Sequence, residues 1–173
     1  MMAFVLALLL QLPACEWCGA AEAPARLTST MRLASSSEPG ERLLLRGVVR
    51  QPNGRPAPNV LVYAYHTNAA GIYAKRGNET GNGRRHGYLR GWLRSGPNGE
   101  FTIDTIRPGT YPSRSDPAHI HVTIKEAGKA EYWVEDFVFA GDPLLRANSG
   151  RVVRLTRDAK GVWQGMSEIR LKP

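Results

Sequence analysis

The stretch H-I-H-V-T-I-K, His119 to Lys125, alternates polar and apolar residues. Strand side chains point to opposite faces in turn, so His119 and His121 share one face and Ile120 lies on the other. Working outward, the same kind of run recurs. R-L-L-L-R-G-V-V (Arg42 to Val49), V-L-V-Y-A-Y-H (Val60 to His66) and G-E-F-T-I-D-T-I (Gly99 to Ile106) come before it. Y-W-V-E-D-F-V-F (Tyr132 to Phe139), R-V-V-R-L (Arg151 to Leu155) and V-W-Q-G-M-S-E-I-R-L (Val162 to Leu171) come after it. Glycine, proline and asparagine separate these runs, and no segment keeps a helical period over three turns. The pattern predicts an all-β fold, an antiparallel β-sandwich with little helix. The polar, glycine-rich stretch from Asn68 to Leu89 predicts one long irregular loop, and loops of that length are more often functional than idle.

The chain has 173 residues, 42% of them apolar and 22% charged, which suits one globular domain. Its net charge is +8, but the arginines are spread along the whole chain with no helix-turn-helix, zinc-finger or RNA-binding signature. Nucleic acid is therefore not the expected partner. The N-terminus differs in kind. Met1 to Leu12 is almost wholly apolar, yet far shorter than the roughly 20 residues of a membrane-spanning helix. Small residues at Ala21 to Ala23 offer an A-x-A-like cleavage site, so residues 1–23 read as a secretory leader. No Lys or Arg precedes Arg26, which is atypical of a leader. L-P-A-C, Leu12 to Cys15, also resembles a bacterial lipoprotein box and offers Cys15 for a lipid anchor, despite the proline at its second position. The expected location is secreted or periplasmic. Residues 24–40, rich in Ser, Ala, Pro and Thr, read as a linker, and residues 41–173 as the sandwich domain. Homo-oligomerisation stays open.

Two imidazoles on one strand face form a ready metal chelate, although a bare H-x-H is equally compatible with two satisfied surface histidines. The surroundings add to it: Tyr111 stands in R-P-G-T-Y-P, and Tyr73 in H-T-N-A-A-G-I-Y at the mouth of the long loop. Four pieces, in order, resemble the intradiol ring-cleavage dioxygenases, the family of catechol 1,2-dioxygenase and protocatechuate 3,4-dioxygenase. They are G-R-P-A-P-N-V-L-V-Y-A-Y-H-T-N-A-A-G-I-Y (Gly54 to Tyr73), N-G-E-F-T-I-D-T-I-R-P-G-T-Y-P (Asn98 to Pro112), P-A-H-I-H (Pro117 to His121) and D-F-V-F-A-G-D-P-L-L (Asp136 to Leu145). The resemblance spans roughly Leu43 to Leu145 and is nearest to the protocatechuate-type β subunit.

The resemblance implies a non-haem Fe(III) ion held by Tyr73, Tyr111, His119 and His121. It implies cleavage of a catechol-type ring between its hydroxyls, with O2, to a muconate-type diacid. Tyr111 would be the tyrosinate that a bound catechol displaces. Such a ligand set makes physical sense, because two phenolates and a hydroxide balance three positive charges and histidines complete the shell without adding charge. Two departures bear on catalysis. The family usually has arginine where this chain has Asp116, and glutamine where it has Asp136; both positions lie near substrate. A carboxylate there repels an anionic substrate unless a cation neutralises it. Arg114 is the nearest candidate to do so in sequence, with Arg84 and Arg85 as others. The Tyr111-to-His119 spacing is shorter than in the classical enzymes, which implies a more open pocket. Three alternatives stand beside this reading. One is an inactive homologue that still binds metal. Another is a copper or zinc site built on the histidines. The third is a secreted transthyretin-like binding module, which the sandwich pattern of Gly47 to Tyr111 also resembles.

Overall fold

The computed structural model describes residues 18–173. The apolar run Met1 to Leu12 and Cys15 lie outside the described residues. A 3-10 turn, Ala20–Glu22, leads into eleven strands and one short helix. The strands are β1 (Thr30–Arg32), β2 (Arg42–Arg50), β3 (Leu61–His66), β4 (Arg90–Arg94), β5 (Glu100–Ile106), β6 (His119–Lys125), β7 (Tyr132–Trp133), β8 (Phe137–Phe139), β9 (Arg151–Val153), β10 (Leu155–Arg157) and β11 (Trp163–Arg170). The helix is α1 (Gly83–His86). One sheet runs β1-β5-β2-β11-β10, the other β4-β3-β6-β8-β9, with β7 paired to β6. Among the described residues, no helix is long and apolar enough to cross a membrane.

The expected all-β sandwich is therefore what forms, with one refinement. Both sheets are mixed: β1 pairs with β5, β11 with β2 and β8 with β9 in parallel, and the remaining ladders are antiparallel. The inward faces meet in one apolar core. Leu43, Leu45, Phe101 and Ile103 from the first sheet pack against Val62, Ile120, Val122, Ile124, Phe137 and Phe139 from the second. Burial of this alternating apolar set is what drives the two layers together.

The linker expected over residues 24–40 is not a linker. Thr30–Arg32 forms β1 along β5, and Met31, Leu33 and Ala34 are buried. A serine- and proline-rich composition hid a three-residue edge strand, too short for periodicity to register. The A-x-A-like site at Ala21 to Ala23 likewise coincides with the 3-10 turn and its C-terminal cap, in a segment held against the domain. The expected loop from Asn68 to Leu89 is irregular except for α1. It folds over the outer face of β3 together with the segment at Gly19, and the inner face of β3 lies in the core, so all six residues of that strand are buried.

Candidate metal centre

The register of β3 with β6 sets the site. Tyr65 lies opposite His121, and Ala64 opposite Val122. Ala64 and Val122 face the core, so Tyr65, His119 and His121 face outward. The long loop and the β5–β6 connection then bring two tyrosines to the same face. Thr67 Oγ1 donates to Gly109 O (2.8 Å), and Gly109 N donates to Asn68 O (2.9 Å). At the contact Gly71 has φ +79°, and a Cβ there would sit 1.8 Å from Thr110 O. Only glycine permits this approach, and the approach carries Tyr73 to Tyr111.

Four side chains converge. The Tyr73 and Tyr111 hydroxyls are 2.7 Å apart. Tyr111 Oη lies 3.2 Å from Nε2 of both His119 and His121, and Tyr73 Oη lies 2.8 Å from His121 Nε2. The two Nε2 atoms are 3.0 Å apart. Each imidazole donates its other ring N–H away from this point. His119 Nδ1 donates to Pro117 O (2.7 Å), and His121 Nδ1 donates to the Asp136 carboxylate (3.1 Å). Those partners fix the tautomers and leave lone pairs on both Nε2 atoms. The two Nε2 lone pairs, 3.0 Å apart, meet the two tyrosine oxygens at one point, where they accept either the phenol protons or a cation. Burial raises the pKa of Tyr73 and Tyr111 and lowers that of His119, so without a metal the phenols stay protonated and His119 neutral.

This donor set fits a hard trivalent cation. Phenolic oxygen and imidazole nitrogen meet at one point, and two phenols can supply two anionic charges. His119, His121 and Asp136 also lie close enough to form a ligand group of their own, with ligand atoms within 4.8 Å of one another. The carboxylate, however, sits at the Nδ1 edge of His121, across the ring from the point where the tyrosines meet Nε2. Asp136 therefore orients His121 instead of sharing the tyrosines' centre.

The centre opens into a cavity of about 410 Å³. Tyr111, His119 and His121 line it together with Asp116 and Asp136; Tyr73 does not. Asp116 is exposed at the rim and accepts a 2.7 Å bond from Ser115 Oγ. Arg114, the expected neutralising cation, is not a lining residue. Its backbone is left-handed (φ +53°) and its N–H closes a turn onto Tyr111 O, while the side chain is exposed. Arg84 and Arg85 sit on α1 and do not line the cavity either. The arginine that does line it is Arg146, from the loop after β8, with Asn148 and Ser149 beside it. Sequence spacing gave no sign of this, because Arg146 is 25 residues beyond His121 and reaches the cavity only through the fold. His66 points into the sandwich, where Nε2 meets Thr105 Oγ1 and Nδ1 meets Thr67 O, both at 2.6 Å.

A family model described as Dioxygenase matches residues 19–159. The chain belongs to the intradiol dioxygenase family. The family is iron-dependent. Intradiol relatives include the protocatechuate 3,4-dioxygenase beta chain of Burkholderia cepacia, 31% identical over 123 residues, which are 67% of this chain and 52% of that one. Catechol 1,2-dioxygenase of Acinetobacter baylyi is 29% identical over 129 residues, 65% of this chain and 40% of that one. The chain thus spans about half the length of these curated relatives. Among solved structures, the dioxygenase domain of a dioxygenase–carbohydrate-binding fusion from the cellulolytic bacterium Streptomyces sp. SirexAA-E superposes with TM-score 0.66 at 26% identity, covering 86% of this chain and 91% of that one. Catechol 1,2-dioxygenase from Acinetobacter sp. ADP1 gives 0.67 at 22%, covering 87% and 59%, a likeness of fold alone.

Proposed function

We propose that this protein is a non-haem Fe(III) dioxygenase that cleaves a catechol-type ring between its two hydroxyls, consuming O2 and yielding a muconate-type diacid. One observation carries the reading: Tyr73, Tyr111, His119 and His121 converge on one point beside the cavity, with both Nε2 lone pairs directed at the tyrosine hydroxyls. When bound, ferric iron supplies Lewis-acid activation of the catecholate toward O2. The chain's own groups do the rest. Tyr111 borders the cavity and Tyr73 does not, so an incoming catechol oxygen meets Tyr111 first. With the metal bound, Tyr111 would be held as the tyrosinate, so that its Oη is placed to accept one of the two catechol hydroxyl protons, and Tyr73 stays where it is.

Two carboxylates beside an anionic substrate need an electrostatic answer. Asp136 is engaged by His121 Nδ1–H. Asp116 is held toward Ser115 at the exposed rim, where water screens it. Arg146 makes no ion pair with any described residue and is the cation available to substrate. The polar walls suit a catechol with polar ring substituents.

The apolar run Met1 to Leu12 supports export to a secreted or periplasmic location. The test of function is the visible spectrum and iron content of the aerobically purified protein, before and after catechol, followed by oxygen uptake and product mass. A tyrosinate-to-iron band that shifts with catechol, with one O2 consumed per diacid formed, is the expected result. A coloured protein that binds catechol without consuming O2 would assign it to iron or catechol binding, as Asp116 and Asp136 in the substrate region would then explain. A colourless protein that takes up no ferric iron would remove the metal reading altogether.

A further inference from the structure

The segment before the first strand makes a set of contacts that no leader or linker requires. One carboxylate, Glu131, grips two successive backbone amides: Gly19 N and Ala20 N donate to its two oxygens at 2.9 Å each. Trp92 Nε1 donates to Gly19 O at 2.7 Å, and Asn82 donates to Cys18 O. Glu22 receives Asn82 N at 2.8 Å and Arg90 at 2.7 Å, in an ion pair with both side chains mostly buried. Gly19 lies flat on the Tyr63 ring; a Cβ would meet Tyr63 Cδ1 at 2.5 Å, so no other residue fits without moving the ring.

We infer that residues 18–22 are a permanent strap of the mature domain, that leader removal takes place N-terminal to Cys18, and that the strap braces the outer face bearing the metal centre. The inference about removal rests on the export reading; the bracing does not. A cut at Ala23 would leave the Trp92 N–H and the Glu131 carboxylate without these partners and would uncover Tyr63, now 1% exposed. A domain whose interior depends on a segment does not discard it and keep the same face intact. The family match also begins at residue 19, inside the strap and upstream of the A-x-A-like site.

Two routes join the strap to the centre. Asn82, held by Glu22, is the N-cap residue of α1. α1 ends in His86, whose Nδ1 is 2.7 Å from Tyr63 Oη and whose ring stacks on Tyr65 with centroids 3.7 Å apart. Tyr65 in turn packs against His121, at 4.6 Å. On the other side, Glu131 accepts from Thr123, two residues along β6 from His121. The strap thus backs the face on which His121 stands.

Two measurements on the full chain test this. The first maps the N-terminus of the protein exported by a bacterial host, by intact mass and N-terminal sequencing. A mature chain that begins at or before Cys18 is expected, and cleavage at the L-P-A-C box would leave Cys15 first. A mature chain beginning anywhere from Gly19 to Ala25 overturns the inference. A chain that keeps Met1 sinks the export reading while leaving the strap in place. The second compares Glu131→Gln with the parent for melting temperature and for the iron band. Loss of the charged grip on two amides should lower Tm by roughly 5–10 °C and reduce ferric binding at equal iron concentration. An unchanged Tm removes the strap's grip, and a lowered Tm with an unchanged iron band confines the strap to a structural role and removes the bracing.

Discussion

On its inner face the β3–β6 pair presents Val62, Ala64, Ile120, Val122 and Ile124, each 0% exposed. On its outer face it presents Tyr63, Tyr65, His119, His121 and Thr123. The inner set is held by area removed from water and needs no particular partner geometry. The outer set is polar and aromatic. It is covered by irregular chain, and its order comes from named hydrogen bonds: Tyr63 to His86, His119 to Pro117, His121 to Asp136. Because strand side chains alternate, neighbouring residues in one run serve two different ends. The face that closes the sandwich is thus separate from the face that carries the chemistry, and the metal-holding side chains of the outer face can be removed without opening the core.

The sharpest break of that separation is His121→Ala set against Ile120→Ala. His121→Ala should abolish the tyrosinate–iron band while the metal-free protein melts within a few degrees of the parent. Ile120→Ala should cost about 2–5 kcal/mol, read as a loss of roughly 10 °C in Tm, with the band retained in whatever protein stays folded. Equal effects of the two on Tm would mean that the outer face is also part of the fold's support.

His66 is the polar residue on the inner face, and it gives a pH test. Burial lowers its pKa from 6.5 to about 4. Between those values the unfolded chain binds a proton that the folded one does not. Its contribution is therefore fully present above pH 6.5 and is lost as pH falls toward 4, to the extent of about 3 kcal/mol. Denaturant titrations of metal-free protein at pH 7 and pH 4.5 should show the loss. His119, also lowered by burial, adds to it with the same sign. Equal stability at both pH values would show that His66 is not held neutral in the interior.

A gentler perturbation of the outer face is Asp136→Asn, which removes the charge on His121 Nδ1–H without changing size. Carboxylates behind a ligating histidine raise its basicity, so metal affinity should fall about 10- to 100-fold. Competition with a chelator measures it, and an unchanged affinity would make Asp136 a cavity-wall residue only. Smallest of all is Arg146→Ala. The side chain is exposed, so water weakens its pull on an anionic substrate. KM should rise about two- to fivefold with kcat unchanged, and a fall in kcat instead would place Arg146 at the reacting atoms.

Much of the fold was legible because it depends on period and composition. His119–Lys125 formed the expected strand at the expected bounds, and Glu100–Ile106 lost one residue of its expected run. The run from Tyr132 to Phe139 instead broke into β7 and β8, and Arg151 to Leu155 divided between β9 and β10. Neither break leaves a mark in apolar spacing. β4 was not foreseen at all: Arg90–Arg94 has few apolar residues, and its place comes from pairing with β3.

The centre divides along the same line. That His119 and His121 share a face follows from alternation alone, and the ordered motifs pointed to Tyr73 and Tyr111 through family resemblance. Which cation faces the cavity did not follow. Arg114 is two residues from Asp116 in sequence, but its side chain is exposed and does not line the cavity, whereas Arg146 does. The same holds for the strap: its small residues read as a cleavage site in sequence, and only the fold places Glu131, Trp92 and Arg90 around them. Strand period, composition and motif order are local properties of a chain, so residue order encodes them directly. The partners of Asp136, Arg146 and Gly19 are set by long loops closing over a sheet face, where contact depends on the packed shape of the whole and not on distance along the chain.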